Sequence, residues 1–345
     1  MNGRLNAFIN RHGAQIEDAL RAHLPYSSQA GARRLNEALD YALFPGGKRL
    51  RPLLALAAAR LAGATDAQGI TIGCAVEFLH SSSLILDDLP AMDDAHLRRN
   101  RRALHLVYGE GLAVLAAVAL LNQAYALLTR AAVMDGASHA TALAPALLAE
   151  AARAVGADGM IGGQAVDLEL QAAGASARAL ASRDLKTVAL MRLMMLGGAR
   201  ACGADDETAG ALSAFGERFG RVYQICDDLL DTTCDAALSG KNAGQDARHL
   251  RPSAVSVLGR SASQNLAASL VAEGATLLSE KFGAREETHL LIEAAETLLD
   301  KVKAAGVEQL PHANAERLPV ADAEHISVRD AEQRSVLDVE QLSVA

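Results

Sequence analysis

The chain has 345 residues, 50% of them apolar, which is enough for a sizeable buried core. A formal net charge of -8 excludes a general nucleic-acid surface, because phosphate-backbone binding draws its affinity from accumulated Lys and Arg; an anionic ligand must be gripped locally. Aromatics are 3% with no Trp, while Ala and Leu recur in nearly every segment and lose little side-chain entropy in a helix, so the expected fold is all-α.

Ala/Leu-patterned segments with short Gly, Pro or Asp punctuation run from about residue 15 to 303, without persistent strand-like alternation. "FPGGKRLRP" at 44–52 separates two helices. Its glycines let backbone approach a phosphate, and Lys48, Arg49 and Arg51 follow to hold the oxygens. A helix over about 70–89 comes next and must end or kink at Pro90. His80, Ser83 and Asp87 share one face of it, and the break lets Asp93 swing back toward Asp87 and Asp88. Arg98, Arg99, Arg101 and Arg102 follow within a few residues, so dense negative and positive charge stand side by side.

"GLAVLAAVALLNQAYALL" at 111–128 has about the length of a membrane span, but Asn122 and Gln123 interrupt it; it is expected to be a buried helix, not a transmembrane segment. In "YQICDDLLD" at 223–231, helical spacing puts Gln224, Asp227, Asp228 and Asp231 on one face, with Val222, Ile225, Cys226 and Leu229 covering the rest. Carboxylates gathered on an otherwise apolar helix repel one another unless a cation sits between them. Two such clusters of hard oxygen donors, without His or Cys ligands, suit Mg²⁺ bridging to substrate phosphates.

The four cysteines show no CxxC pair and the N-terminus lacks the order of a signal peptide, so a reducing cytoplasm is expected. Residues 1–305 are expected to form a single domain. From about 306 to 345 the chain becomes a degenerate eight-residue repeat, VEQLPHAN, AERLPVAD, AEHISVRD and onward, whose units carry too little apolar surface to offset ordering and are expected to be disordered.

The ordered set of motifs over residues 15–303 resembles the trans-polyprenyl diphosphate synthases, the farnesyl and geranylgeranyl diphosphate synthase family. "GGKRLRP" is similar to that family's isopentenyl diphosphate loop, "DDLPAMD" to its first aspartate-rich motif in the longer form, and "DDLLD" to its second. "GGQAVDL" at 162–168, "KT" at 186–187 and "GK" at 240–241 stand in the family's order. The resemblance implies a helical bundle of isoprenoid-synthase type around a central apolar cavity, a homodimer, and head-to-tail condensation of isopentenyl diphosphate with allylic prenyl diphosphates.

Carried onto this chain, the resemblance implies that Gly47, Lys48, Arg51, His80 and Arg99 hold isopentenyl diphosphate. The allylic diphosphate would lie between the acidic motifs, bridged by Mg²⁺, with three ions expected, on Asp87, Asp88, Asp93, Asp227 and Asp231. Arg98, Lys186 and Lys241 would be direct cationic contacts, and Gln164, Thr187, Tyr223, Gln224 and Arg251 would complete the polar lining. Ser82 and Ser83, about 7.5 and about 6 Å down the helix from Asp87 by its rise per residue, would leave an apolar tunnel open and favour a C20 product. Leu86 and Val118 are similar to the bacterial carotenoid-pathway branch, which favours geranylgeranyl diphosphate over farnesyl or longer products. A class I terpene cyclase would need a different second metal motif, and a non-catalytic subunit would show eroded aspartates. Asn100 and Arg102 depart from the family's usual Gly and Pro, and Arg251 from its usual Lys; Asp94, Arg101 and Arg102 read as solvated neighbours.

Overall fold

Nearly every Ala/Leu-rich segment is helical in the computed structural model, which describes residues 3–134, 140–170, 177–232 and 253–305. The helices are α1 (Arg4–His23), α2 (Arg33–Leu43), α3 (Leu50–Leu61), α4 (Asp66–Asp87), α5 (Leu104–Tyr108), α6 (Glu110–Val133) and α7 (Ala140–Val155). They continue as α8 (Met160–Leu170), α9 (Ala177–Cys202), α10 (Asp206–Asp231), α11 (Ala254–Leu258), α12 (Arg260–Phe282) and α13 (Glu286–Ala305). The fold is all-α. Lys241, Arg251, Cys234 and the repeat at 306–345 lie outside the described residues.

α3 and α4 form the centre. α3 buries Pro52 to Ala59 without interruption, as a helix apolar all round must. Pro52 sits in its first turn, where the missing N–H costs nothing. α4 begins with a reciprocal capping box between Thr65 and Gln68 and is buried along most of its length. It packs between α3 and α6, while α9 packs on α3, α8 and α10, and α10 on α12. Gly73 permits the α3–α4 contact: a Cβ there would lie 2.8 Å from Pro52 Cα.

Two expectations need correction. A small antiparallel hairpin, β1 (Leu97–Arg98) and β2 (Arg101–Arg102), interrupts the helices. No alternation announces it; its turn does, because Arg99 and Asn100 take φ of 52° and 60°, the left-handed pair of a two-residue hairpin turn that Asn tolerates well. The apolar stretch at 111–128 is not a fully buried helix. α6 buries Ala113, Ala117, Leu120 and Ala124 but exposes Val114, Leu115 and Val118 on the opposite side. α4 and α6 are both long and apolar enough to cross a membrane by length and composition alone; α4 is largely enclosed by protein.

Candidate active site

The first acidic motif forms where α4 is forced to stop. Pro90 cannot continue the helix, and the chain folds back on its end: Asp93 N donates to Asp87 O at 2.9 Å, and Ala95 N to Asp88 O at 3.2 Å. Three carboxylates thus meet at a helix C-terminus, where the helix dipole adds further negative potential. Asp87 and Asp88 are both buried, and burial pushes both pKa values up, against the pull of Lys186 on Asp87 and of Arg98 on Asp88.

Cations from two other elements meet these acids. Lys186 Nζ of α9 lies 2.6 Å from Asp87 Oδ2 and 2.6 Å from Gln164 Oε1 of α8. Gly163 allows that convergence, since a Cβ there would stand 2.6 Å from Lys186 N. Arg98 on β1 grips Asp88, its Nε 3.1 Å from both carboxylate oxygens and its Nη2 bonded to Oδ1. Arg98 is therefore engaged with the first motif itself, while Arg99 beside it is exposed.

The second motif is tied to the first through consecutive residues of α9. Thr187 Oγ1 donates to Gln224 Oε1 at 3.1 Å, and Gln224 Nε2 to Asp228 Oδ1 at 3.0 Å. Asp228 Oδ2 accepts from Ala254 N at 2.7 Å, and the residue is 1% exposed. Asp227 is exposed and Asp231 half-exposed. The expected common face for the acids is therefore split: Asp228 turns inward to fasten α10 to α11, while Asp227 and Asp231 keep contact with solvent. Val222, Ile225, Cys226 and Leu229 are buried, as their spacing predicts.

The cationic loop lies at the start of α3. Gly47 and Lys48 are exposed; Arg51 is half-buried, its guanidinium 5.5 Å from the Tyr223 ring centroid and its Nε enclosed without a hydrogen-bond partner among the described residues. His80 is held neutral, its pKa well below 6.5, by burial first and then by Arg51, Arg99, Arg98 and Lys186.

Arg101 is no solvated neighbour. Its guanidinium stacks 3.8 Å from the Tyr41 ring centroid and donates to Phe44 O at 2.7 Å, while Tyr41 Oη donates to Arg102 O at 2.9 Å; together these pin the hairpin to α2. Beside this contact a cavity of about 50 Å³ opens among Tyr41, Pro45, Ser81, Ile85, Asp88 and Arg98. It lies on the flank of α4 bearing Ser81. Ser82 is 3% exposed, and Ser83 is half-buried with its Oγ donated to His80 O at 2.9 Å.

The donor set fits Mg²⁺. Among the described residues no three His, Cys, Asp or Glu side chains form a ready-made cage. Mg²⁺ seldom needs one: it keeps waters and binds through one or two carboxylates plus substrate phosphates. Asp87 and Asp93 on one side and Asp227 and Asp231 on the other offer oxygen alone.

The helical core with these paired acidic and cationic elements has the chemistry to hold a diphosphate-type anion together with a divalent cation. The chain belongs to the polyprenyl synthetase family, whose model matches residues 32–282. It is 36% identical to the farnesyl diphosphate synthase of Bacillus subtilis over 71% of this chain and 82% of the relative. It is 34% identical to geranylgeranyl pyrophosphate synthase 12 of Arabidopsis thaliana over 79% of this chain and 75% of that one. An apo FPP/GFPP synthase from Zymomonas mobilis superposes with TM-score 0.73 at 30% identity, covering 86% of this chain and 98% of that chain. A Helicobacter pylori geranyltransferase, solved with magnesium and isoprenyl diphosphate, does so with TM-score 0.72 at 30% identity, covering 88% and 99%. The protein is a prenyltransferase of the farnesyl/geranylgeranyl diphosphate synthase type.

Glu77 and Glu17 stand in none of the motifs, and Arg49 in the basic loop reads from sequence as one more phosphate-facing cation. The signal was present in "ITIGCAVEFL", where Glu77 is the lone charge in an otherwise apolar run.

Proposed function

We propose that this prenyltransferase condenses isopentenyl diphosphate with allylic diphosphates to give geranylgeranyl diphosphate, C20. The observation that carries the reading is the bridge made by α9, in which Lys186 contacts Asp87 and Thr187 contacts Gln224. One helix thereby contacts both acidic motifs, which supports a shared position for the allylic diphosphate between them. Lys186, steadied by Asp87 and Gln164, presents its charge where the allylic diphosphate departs, and Lys241 is assigned to the same anion. Lys48, Arg51, His80 and Arg99 hold isopentenyl diphosphate for attack on the allylic carbocation, and the departed diphosphate takes the proton. Bound Mg²⁺ would neutralise charge developing on the leaving diphosphate. The apolar side chains around the site exclude the water that would quench a carbocation.

The small side chains of Ser82 and Ser83 support C20. A C15 product is the second reading, favoured by the relatives named farnesyl diphosphate synthase. A homodimer is supported by the exposed apolar stripe Val114, Leu115 and Val118 of α6, and a cytoplasmic location by the cysteine pattern. Purified protein is incubated with Mg²⁺, isopentenyl diphosphate and C5, C10 or C15 allylic diphosphate, and product chain length is measured. A C20 diphosphate is expected; C15 alone selects the second reading, and hydrocarbon from farnesyl diphosphate without isopentenyl diphosphate overturns both. Light scattering, with Leu115→Asp as control, tests the dimer.

A further inference from the structure

The loop that carries Gly47, Lys48 and Arg51 is built around its own arginine. Arg49 takes φ of 49° as the residue capping α3, a left-handed conformation that is uncommon for a side chain of this kind. The turn sends its guanidinium backward and inward, where it is 5% exposed. Nη2 donates to Leu43 O, the last residue of α2, at 2.6 Å, so the two ends of the loop are tied through one side chain. Gly46 rests directly on the guanidinium: a Cβ there would fall 2.0 Å from Arg49 Cζ. Phe44 flanks it, with the ring centroid 5.3 Å from Cζ.

A buried guanidinium in that position requires counter-charge. Arg49 Nη1 donates to Glu77 Oε1 of α4 at 2.8 Å, and Nε to Glu17 Oε2 of α1 at 2.8 Å. Glu77 is 3% exposed, on the same helix as His80 and Asp87 and three residues before His80. The fork geometry of Arg uses its donors on two carboxylates and a carbonyl at once, which Lys does not reproduce.

We infer that Glu77, with Glu17, is a positioning residue for the isopentenyl diphosphate subsite: it anchors Arg49, and through Arg49 sets the loop that presents Lys48 and Arg51. This rests on the proposed function for the identity of the ligand, though not for the ordering of the loop. Removing one partner of a buried ion pair leaves an uncompensated charge, which is relieved by moving the guanidinium and the loop wrapped on it. Because α4 also carries His80 and Asp87, the same anchor keeps the isopentenyl loop in register with the allylic site.

The test is Glu77→Gln, which preserves shape and removes charge, with Glu17→Gln as the milder variant should the first fail to fold. Hydrogen exchange at amides 46–51 is measured without substrate, and faster exchange is expected in both variants; exchange unchanged there overturns the inference whatever reaction the protein performs. In the condensation assay the KM for isopentenyl diphosphate should rise about tenfold, equivalent to about 1.4 kcal/mol, while the KM for the allylic starter stays within about twofold. Equal loss for both substrates, or a lower melting temperature with both KM values unchanged, would show a merely structural salt bridge. Wild-type protein that does not condense isopentenyl diphosphate overturns the proposed function, and the exchange measurement still decides the anchor.

Discussion

Lys186 Nζ stands 2.6 Å from Asp87 Oδ2, joining the middle of α9 to the last residue of α4. Burial alone disfavours ionisation of Asp87; the lysine supplies the opposing charge, and Gln164 on the other side fixes the direction in which the ammonium points. A cation positioned in advance stabilises developing negative charge without reorganising during the reaction. Lys186→Met is predicted to lower kcat by about 100- to 1000-fold, the range seen when one preorganised donor is lost. Lys186→Arg should recover only part of it, because a guanidinium does not fit the ammonium's position between Asp87 and Gln164. Steady-state kinetics with saturating allylic diphosphate checks both.

Gly163 makes that contact possible by bringing α8 against α9. Gly163→Ala would place a methyl group 2.6 Å from Lys186 N, against backbone that has no rotamer to yield. Overpacking of this kind costs about 1 to 3 kcal/mol. Denaturant unfolding should show that loss, and kcat should fall as well, since separating the helices moves Gln164 and Lys186 together.

His80 gives the stability a defined pH dependence. Its ring is held neutral in the folded protein, with a pKa well below 6.5, by burial first and then by Arg51 and its cationic neighbours. As pH falls, the unfolded chain takes up the proton first. The stabilisation is therefore fully present above about pH 6.5 and is lost as pH falls toward the lower folded-state value, with a slope of at most about 1.4 kcal/mol per pH unit for one proton. Urea unfolding of wild type and His80→Gln from pH 8 to 5 should differ in slope only on the acid side.

Ser82→Phe tests the chain-length reading. Ser82 is 3% exposed and points away from bulk solvent, on the helix that ends at Asp87. A phenyl ring there should shorten the main product by one or more C5 units, with KM for isopentenyl diphosphate changed by less than about threefold, a difference under about 1 kcal/mol. Chromatography of the dephosphorylated products gives the answer; an unchanged length removes Ser82 from the tunnel.

Much of this protein is legible along the chain. Ala/Leu patterning predicts the helices, Pro90 predicts the end of α4, and the spacing of Val222, Ile225, Cys226 and Leu229 predicts the buried side of α10. These are local properties: a period of 3.6 residues and a ring that cannot donate act wherever the segment lies. The motif order over 44–52, 87–93 and 227–231 likewise carries the family.

Which charge meets which is a different matter. Asp227 and Asp228 are neighbours in an acidic run, yet one is exposed and the other is buried because Ala254 N, from another helix, waits for it. Arg49 and Arg51 stand two residues apart in one basic loop, yet Arg49 turns inward to Glu17 and Glu77 while Arg51 lies over Tyr223. Arg101 in the second basic run is held by Tyr41 and Phe44. Helical periodicity determines which residues share a face, but an ionised group is buried only where a partner from a distant segment compensates its desolvation. Residue type and spacing thus determined the fold class and the candidate acids and cations; the packing of α1, α4, α9 and α11 decided which of them became anchors and which were left facing the site.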